Sequence, residues 1–452
     1  MISTMNTPVI PAFLLGSLAA SAIAATIYVS PLGTHLPPFD TWSKAATNIQ
    51  DGVNAAVTND VVLVSNGVYA TGSTWDGQTF SRLVIGKAVT VRSLSGPAET
   101  VIEGCQTPPP MRCVWMTNGS LEGFTVSNGY ALDMGHGGGV YAMLYPLPLR
   151  PLVSNCVITM NIASNYGGGI AGGILVGCRV AGNVSLYAGG GSYFSDMYGC
   201  TLESNQAYYA GGIYQGLLAN CVVRGNAAIT VGGVDGCLVS NCLVCGNSGG
   251  IGGTTWCTVY NSVICHNQGG WFGGGSYIGT LVNCLVVSNW AVQGGGANRS
   301  VLLNCTVCDN IAVSNGGGVW GYDFSNVNCI IYHNVAADGS NWYHDYTYGS
   351  NGFSYNSVCT EPAPPESLVI NIITNDPGLV GRTNGDYHPP VSSPCINTGV
   401  FMAWMTGATD LDGGPRVQDG LVDLGCYELV PEPAAAIAAA LLAALCVTRR
   451  RP

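Results

Sequence analysis

NCVITMNIASNYGGGI, residues 155–170, places a cysteine inside an apolar run, an asparagine five residues later and then three glycines. Alone, the stretch fits a redox or metal site, a glycine-rich phosphate cradle or a structural turn. Its recurrence decides between them. With the cysteine as position zero, GCRVAGNVSLYAGGGS repeats the pattern at Cys178 and Asn183, GCTLESNQAYYAGGIY at Cys200 and Asn205, and NCVVRGNAAITVGGV at Cys221 and Asn226. The series continues through Cys242/Asn247, Ser262/Asn267, Cys284/Asn289, Cys305/Asn310 and Cys329/Asn334, in steps of 22, 22, 21, 21, 20, 22, 21 and 24 residues. GFTVSNG (Gly123, Asn128) is an earlier, looser copy, separated from the next by the insertion YPLPLRP. A period of about 21 residues over this length is the signature of a solenoid.

The plus-two column reads Ile158, Val180, Leu202, Val223, Val244, Ile264, Val286, Val307, Ile331. Every member is aliphatic and most are β-branched, which predicts a strand with positions zero and plus two facing inward. The plus-three column accepts Glu203 and Arg224, so it is expected to face outward. The asparagine is expected to end the strand, and the glycines to turn a second corner. One such strand cannot bury its apolar face, whereas stacked copies share a continuous core. Equivalent asparagines then lie roughly 4.8 Å apart, close enough for an amide ladder. A helical repeat is excluded by the glycine density and by the lack of a 3.6-residue apolar stripe.

The NCxVxxNxAxxxGGG units resemble right-handed parallel β-helix proteins of the bacterial cell surface, including the glycine-rich repeats of polymorphic outer-membrane proteins. The resemblance covers most of the chain. It implies an all-β, right-handed parallel β-helix solenoid, and leaves function open, because adhesins, lyases, epimerases and inert surface proteins share this scaffold.

Composition excludes other classes. Of 452 residues, 9% are charged and 47% hydrophobic, with 64 glycines and a net charge of −11. This is too apolar for a disordered chain, and too acidic and lysine-poor for a nucleic-acid partner.

The two ends suggest export. The apolar run up to Ala22-x-Ala24 fits a secretory signal, although the first seven residues carry no Lys or Arg. The alternative is a buried first strand or helix. Pro431-Glu432-Pro433, an Ala/Leu-rich run and Arg449, Arg450 and Arg451 follow one another in the last 23 residues. This order is similar to the PEP-CTERM sorting signal of Gram-negative bacteria. That resemblance implies an exosortase-type processing partner, transient inner-membrane association and a final place at the cell surface or in the extracellular matrix. An ordinary tail anchor gives nearly the same location. The expected layout is a signal peptide at 1–24, an N-terminal cap at 25–60, the β-helix at 61–336, a C-terminal cap module at 337–429 and the sorting segment at 430–452. In the N-terminal cap, Asp40 or Thr41 is the expected start of an amphipathic helix with Trp42, Ala45, Ile49, Val53 and Ala56 on one face. The C-terminal module is expected to close the far end.

Nineteen cysteines in an exported chain suggest disulfides. Ser262 in the zero column argues instead for stacked small core thiols, and a linear column does not converge as zinc ligands must. Cys245 with Cys265, and Cys237 with Cys257, share columns on adjacent rungs and are the candidate staples. No Gly-Lys-Ser/Thr follows the glycines, which excludes a P-loop.

Candidate chemistry is sparse. Asp196, Glu203, Asp235 and Asp309 fall at four different offsets, and Glu203 with Arg224 fits a surface ion pair. His333, Asp338, His344 and Asp345 cluster where the period breaks, which favours a cap or loop. Lyases of this fold class hold calcium with carboxylates, and Asp410 and Asp412 offer two, without the rest of an EF-hand loop. The binding candidates are the corner aromatics Tyr166, Tyr187, Tyr209, Trp271 and Trp290, whose rings suit the apolar faces of sugars. The expected role is structural, adhesive or carbohydrate-binding at the surface, with an extracellular polysaccharide as partner. The alternative is a polysaccharide lyase or epimerase.

Overall fold

A computed structural model describes residues 24–429 apart from 77–78, 134, 143–149, 323–324, 349–353 and 366–368. Residues 1–23 of the expected signal peptide and the whole sorting segment, Pro431 to Arg451 included, therefore lie outside the described residues. Among the described residues no helix is long and apolar enough to cross a membrane.

Every coil obeys the same local chemistry. A residue with positive φ precedes the cysteine (Asn155, Gly177, Asn220, Asn241) and another follows four positions after it (Met160, Gly182, Ser204, Gly225). Asn and Gly tolerate this conformation best. Between the two corners runs a three-residue strand: Val157–Thr159, Arg179–Ala181, Thr201–Glu203, Val222–Arg224. The strand thus ends at plus three, two residues before the asparagine, with the corner residue at plus four between them. The cysteine sits at the corner that opens the strand instead of within it.

These strands stack in parallel and in register, Ile158 on Val180 on Leu202 on Val223. Lines of strands on the other faces do the same, including Leu152–Ser154 on Ile174–Val176 and Val140–Ala142 on Ile170–Gly172. The short strands after the asparagine, Tyr130–Ala131 to Ile311–Asn315, form a separate nine-stranded sheet. The molecule is a right-handed parallel β-helix. Its core is the inward stack, with Ile158, Val180, Leu202, Val223 and Val244 fully buried. Each such side chain contributes roughly 1.5–3 kcal/mol of transfer free energy.

The asparagine ladder forms as expected. Asn183 Nδ2 donates to Asn205 Oδ1 at 3.0 Å and to the Ile158 carbonyl at 2.9 Å, and Asn183 N donates to the same Asn205 Oδ1 at 3.0 Å. The relay runs from Asn161 to Asn334 and continues to Asn341, whose Nδ2 donates to the Glu361 carbonyl at 2.7 Å. All these amides are buried, and each gains its partners from the neighbouring rung.

The thiol column does more than fill space. The backbone N–H of Cys200 donates to Cys221 Sγ at 3.4 Å, and that of Cys221 to Cys242 Sγ at 3.3 Å. Where serine replaces cysteine, the N–H of Cys242 donates to Ser262 Oγ at 3.0 Å. Cys221 and Cys242 thus each accept a corner amide, a task a hydroxyl also performs. The candidate staples are adjacent but unbonded: Cys245 faces Cys265 in register, and Cys237 N donates to Cys257 Sγ at 3.4 Å. Every described cysteine is a free thiol.

Three expectations about the caps change. The N-terminal helix is Ile49–Ala55, capped by Asn48, whose Oδ1 accepts from Asp51 N at 2.9 Å. It does not extend back to Asp40, because Ala46 pairs with the first strand, donating to the Tyr28 carbonyl and accepting from Ser30 N. Only a short 3-10 turn, Trp42–Lys44, precedes it. Parallel coiling also continues past residue 336, through Trp342–His344, Ser354–Cys359 and Val369–Ile373.

Beyond that last strand the chain turns back and lies along the side of the β-helix instead of closing its end. Asn283 Nδ2 donates to the Thr409 carbonyl, Asn328 Nδ2 to the Val400 carbonyl and Gly425 N to the Asn328 carbonyl. Tyr387, Cys395, Leu424 and Cys426 form a second core with Cys265, Leu285, Val287 and Cys308. The plus-three column is therefore outward-facing, with Arg224 exposed and Thr159 and Cys245 partly so in the early coils. From Cys265 onward it is covered.

Candidate carbohydrate-binding face

The glycine run in each coil lets consecutive rungs approach until no side chain fits. A Cβ at Gly190 would meet the Gln206 carbonyl oxygen at 2.3 Å, and Gly189 has a φ of +69°. The strand that follows begins with an inward residue and then an outward one. That outward column runs Trp115, Tyr141, Ala171, Tyr193, Tyr214, Asp235, each on its neighbour in parallel register.

Rings from this column interleave with rings from the corner. Tyr166 stacks on Tyr193 at 4.3 Å between centroids, Tyr193 on Tyr214 at 5.8 Å and His136 on Tyr166 at 5.1 Å. Tyr187 meets Tyr166 edge-on at 5.2 Å and Tyr209 at 5.4 Å, and Tyr208 leans on Tyr209 at 4.8 Å. The offset and edge-on geometries are those aromatic quadrupoles favour. Tyr166, Tyr193 and Tyr214 are half-buried, whereas Tyr187 and Tyr208 are each 44% exposed.

At one end of the ladder, Arg112 and Asp76 form a fully buried ion pair. The guanidinium also donates to the His136 carbonyl (Nη2, 2.9 Å) and lies 5.1 Å over the Tyr141 ring. Burial, reinforced by Arg112, lowers the His136 pKa, so its imidazole is neutral at pH 7. Burial raises the phenol pKa values of Tyr141, Tyr193 and Tyr214, which keeps them protonated as donors and acceptors. At the other end, burial pushes Asp235 up to about 6.

Of the five aromatic candidates, Tyr166, Tyr187 and Tyr209 come together here. Trp271 lies further along, 59% exposed beside Phe272, which stacks on Tyr277 at 5.9 Å. Trp290 is a half-buried member of the nine-stranded sheet and meets none of these rings in the described contacts. Sequence reasoning missed Tyr141, Tyr193 and Tyr214, and did not place the candidate carboxylate Asp235 in their column. The signal was present two residues after each glycine run, in GGGVY, GGGSY, GGIY and GGVD.

The remaining candidates are spent on structure. Glu203 accepts from Arg179 Nε at 2.6 Å and Arg224 Nε at 2.7 Å, so the expected pair is a triad, with both arginines more than half exposed. Asp196 pairs with Arg150, and Asp309 with Arg382. His344 is buried in the strand Trp342–His344, and Asp345 caps Thr347. His333 lies 3.4 Å from Asp376, and the Asp338 backbone joins the coil. Asp410 accepts the Gly414 and Glu428 amides, while Asp412 meets His388 Nε2 at 2.6 Å. Among the described residues no group of three or more His, Cys, Asp or Glu is placed to hold a metal.

No described protein family and no curated protein sequence matches the chain. Among solved structures it is similar to pectate lyase Pel9A, at 14% identity over 90% of this chain and 98% of that one (TM-score 0.35). It is also similar to XylC in complex with xylose, at 8% identity over 90% and 98% (TM-score 0.43). A third is the A-module of the Azotobacter vinelandii mannuronan C-5 epimerase AlgE6, at 14% identity over 73% and 94% (TM-score 0.37). At such identities the likeness concerns the fold alone.

Proposed function

We propose that this is an exported, surface-associated β-helix protein that binds carbohydrate through the aromatic face beside its glycine corner, in a structural or adhesive role. The observation that carries this reading is the ladder of Tyr166, Tyr193 and Tyr214, flanked by the exposed rings of Tyr187 and Tyr208. Such a surface offers apolar ring area together with a row of protonated hydroxyls, the combination by which sugar-sized ligands are held and oriented. Export rests on the two sequence ends, with an exosortase-type enzyme as processing partner. Affinity electrophoresis against a polysaccharide panel tests the binding, and failure of every glycan to retard the protein would refute it. Fractionating cells that express the chain with and without residues 430–452 tests the sorting role.

A second reading, a lyase or epimerase, is favoured by Asp235, a half-buried carboxyl that holds its proton up to about pH 6 in line with Tyr214. Unsaturated or epimerised products from the same panel would establish it, with loss of turnover in Asp235→Asn.

A further inference from the structure

Beyond the end that carries Asp133, His136 and the buried Arg112–Asp76 pair, the face around the aromatic ladder is nearly empty of charge, whereas the rest of the coils is not. In eight consecutive coils it comprises residues 161–171, 183–193, 205–214, 226–235, 247–255, 267–277, 289–298 and 310–320. These segments hold no Lys, Arg, His or Glu, and Asp235 is their one Asp. The neighbouring plus-one and plus-three columns of the same coils hold Arg179, Glu203 and Arg224. Seven rung spacings make the uncharged track about 34 Å long. It is not covered by the rest of the described chain: Leu186, Tyr187, Tyr208, Ile229, Trp271 and Val313 are between 44% and 59% exposed.

Resting on the carbohydrate-binding reading, we infer that the ligand is an uncharged polysaccharide lying along the solenoid axis, and that polyuronates and other anionic glycans are rejected. Like charges repel even in bulk water, and more strongly beside a low-dielectric wall. A chain of net charge −11 has no cation on this track to offset a carboxylate on each sugar. An uncharged glycan incurs no such penalty. It gains ring contact and hydroxyl hydrogen bonds on successive rungs, so affinity should rise with chain length over the span of the track. Ionised Asp235 adds a further negative charge at one point of it.

The test is affinity electrophoresis of the full chain in gels holding β-glucan, galactomannan, polygalacturonate or alginate. Retention by a neutral glycan should exceed retention by either polyuronate at least about tenfold, and vary less than about twofold between low and high salt. The double variant Tyr187→Ala/Tyr208→Ala should lose that retention while keeping its circular dichroism. Leu186→Lys/Ile229→Lys should gain retention by polyuronates. Stronger, salt-sensitive retention of wild type by polyuronates would overturn the inference and leave carbohydrate binding standing. Absence of retention by any glycan would instead remove the reading it rests on. Undiminished retention in the tyrosine double variant would place the ligand elsewhere. Sedimentation showing a dimer that Tyr208→Asp dissociates would make the face a contact between copies of this chain, and so also overturn the inference.

Discussion

Asn205 and Tyr208 stand three residues apart in one coil and are constrained in opposite ways. Asn205 is fully buried, donates to the Val180 carbonyl and to Asn226 Oδ1, and accepts from the Asn183 backbone and side chain. Its partners lie one rung above and below, so each coil must present the same residue. Tyr208 is 44% exposed, and its place is taken by Leu186 in the preceding coil and Ile229 in the next. Where a neighbouring rung supplies the bonding partner, residue identity repeats. Where the neighbour is solvent, residues vary, and specificity for a ligand has room to arise.

The largest test of this contrast is Asn205→Leu. It strands the Asn183 amides and the Val180 carbonyl and should destabilise the chain by about 3 kcal/mol or more, read as a fall in the urea midpoint. Asp235→Asn probes the boundary between the two regimes. Its carboxyl moves from 3.8 to about 6 in the folded chain. The folded state therefore binds the extra proton, and wild-type stability falls as pH rises through that window. The variant should match wild type below pH 3.8 and exceed it above pH 6, by on the order of 1–2 kcal/mol after solvent screening. Identical pH profiles would refute the burial of this carboxyl.

Smaller effects are expected in the thiol column. Cys221→Ala deprives the Cys200 amide of its acceptor and should cost about 1–2 kcal/mol, whereas Cys221→Ser should cost less because Ser262 already performs this task. Equal losses would reduce the column to packing alone. The smallest stability change belongs to Tyr187→Ala, within about 0.5 kcal/mol as for other exposed positions. If it lowers glycan retention without shifting the melting temperature, scaffold and binding surface are separable.

The same contrast explains what could be read from the sequence. The period, the inward columns and the amide ladder were legible because each is a one-dimensional repeat. The tyrosine column was equally periodic, and was missed by counting aromatics only up to the glycines. The position of the C-terminal segment was not legible. Its contacts, such as Asn328 with Val400 and Asn283 with Thr409, join residues far apart in sequence through unlike surfaces and leave no period. Its one local trace was the change at plus three from Glu203 and Arg224 to the apolar Val287 and Cys308. The short N-terminal helix failed for a similar reason, since strand pairing by Ala46 overrides the helical pattern around it.

The amide relay from Asn161 to Asn341 also makes the molecule a ruler. Loss or duplication of one complete coil rejoins the relay and changes the outer track by a single rung, roughly 4.8 Å. Loss of a fraction of a coil breaks every column at once. The reach of the face is thus adjustable in whole steps, and descendants of this chain can be matched to longer or shorter ligands by counting asparagines.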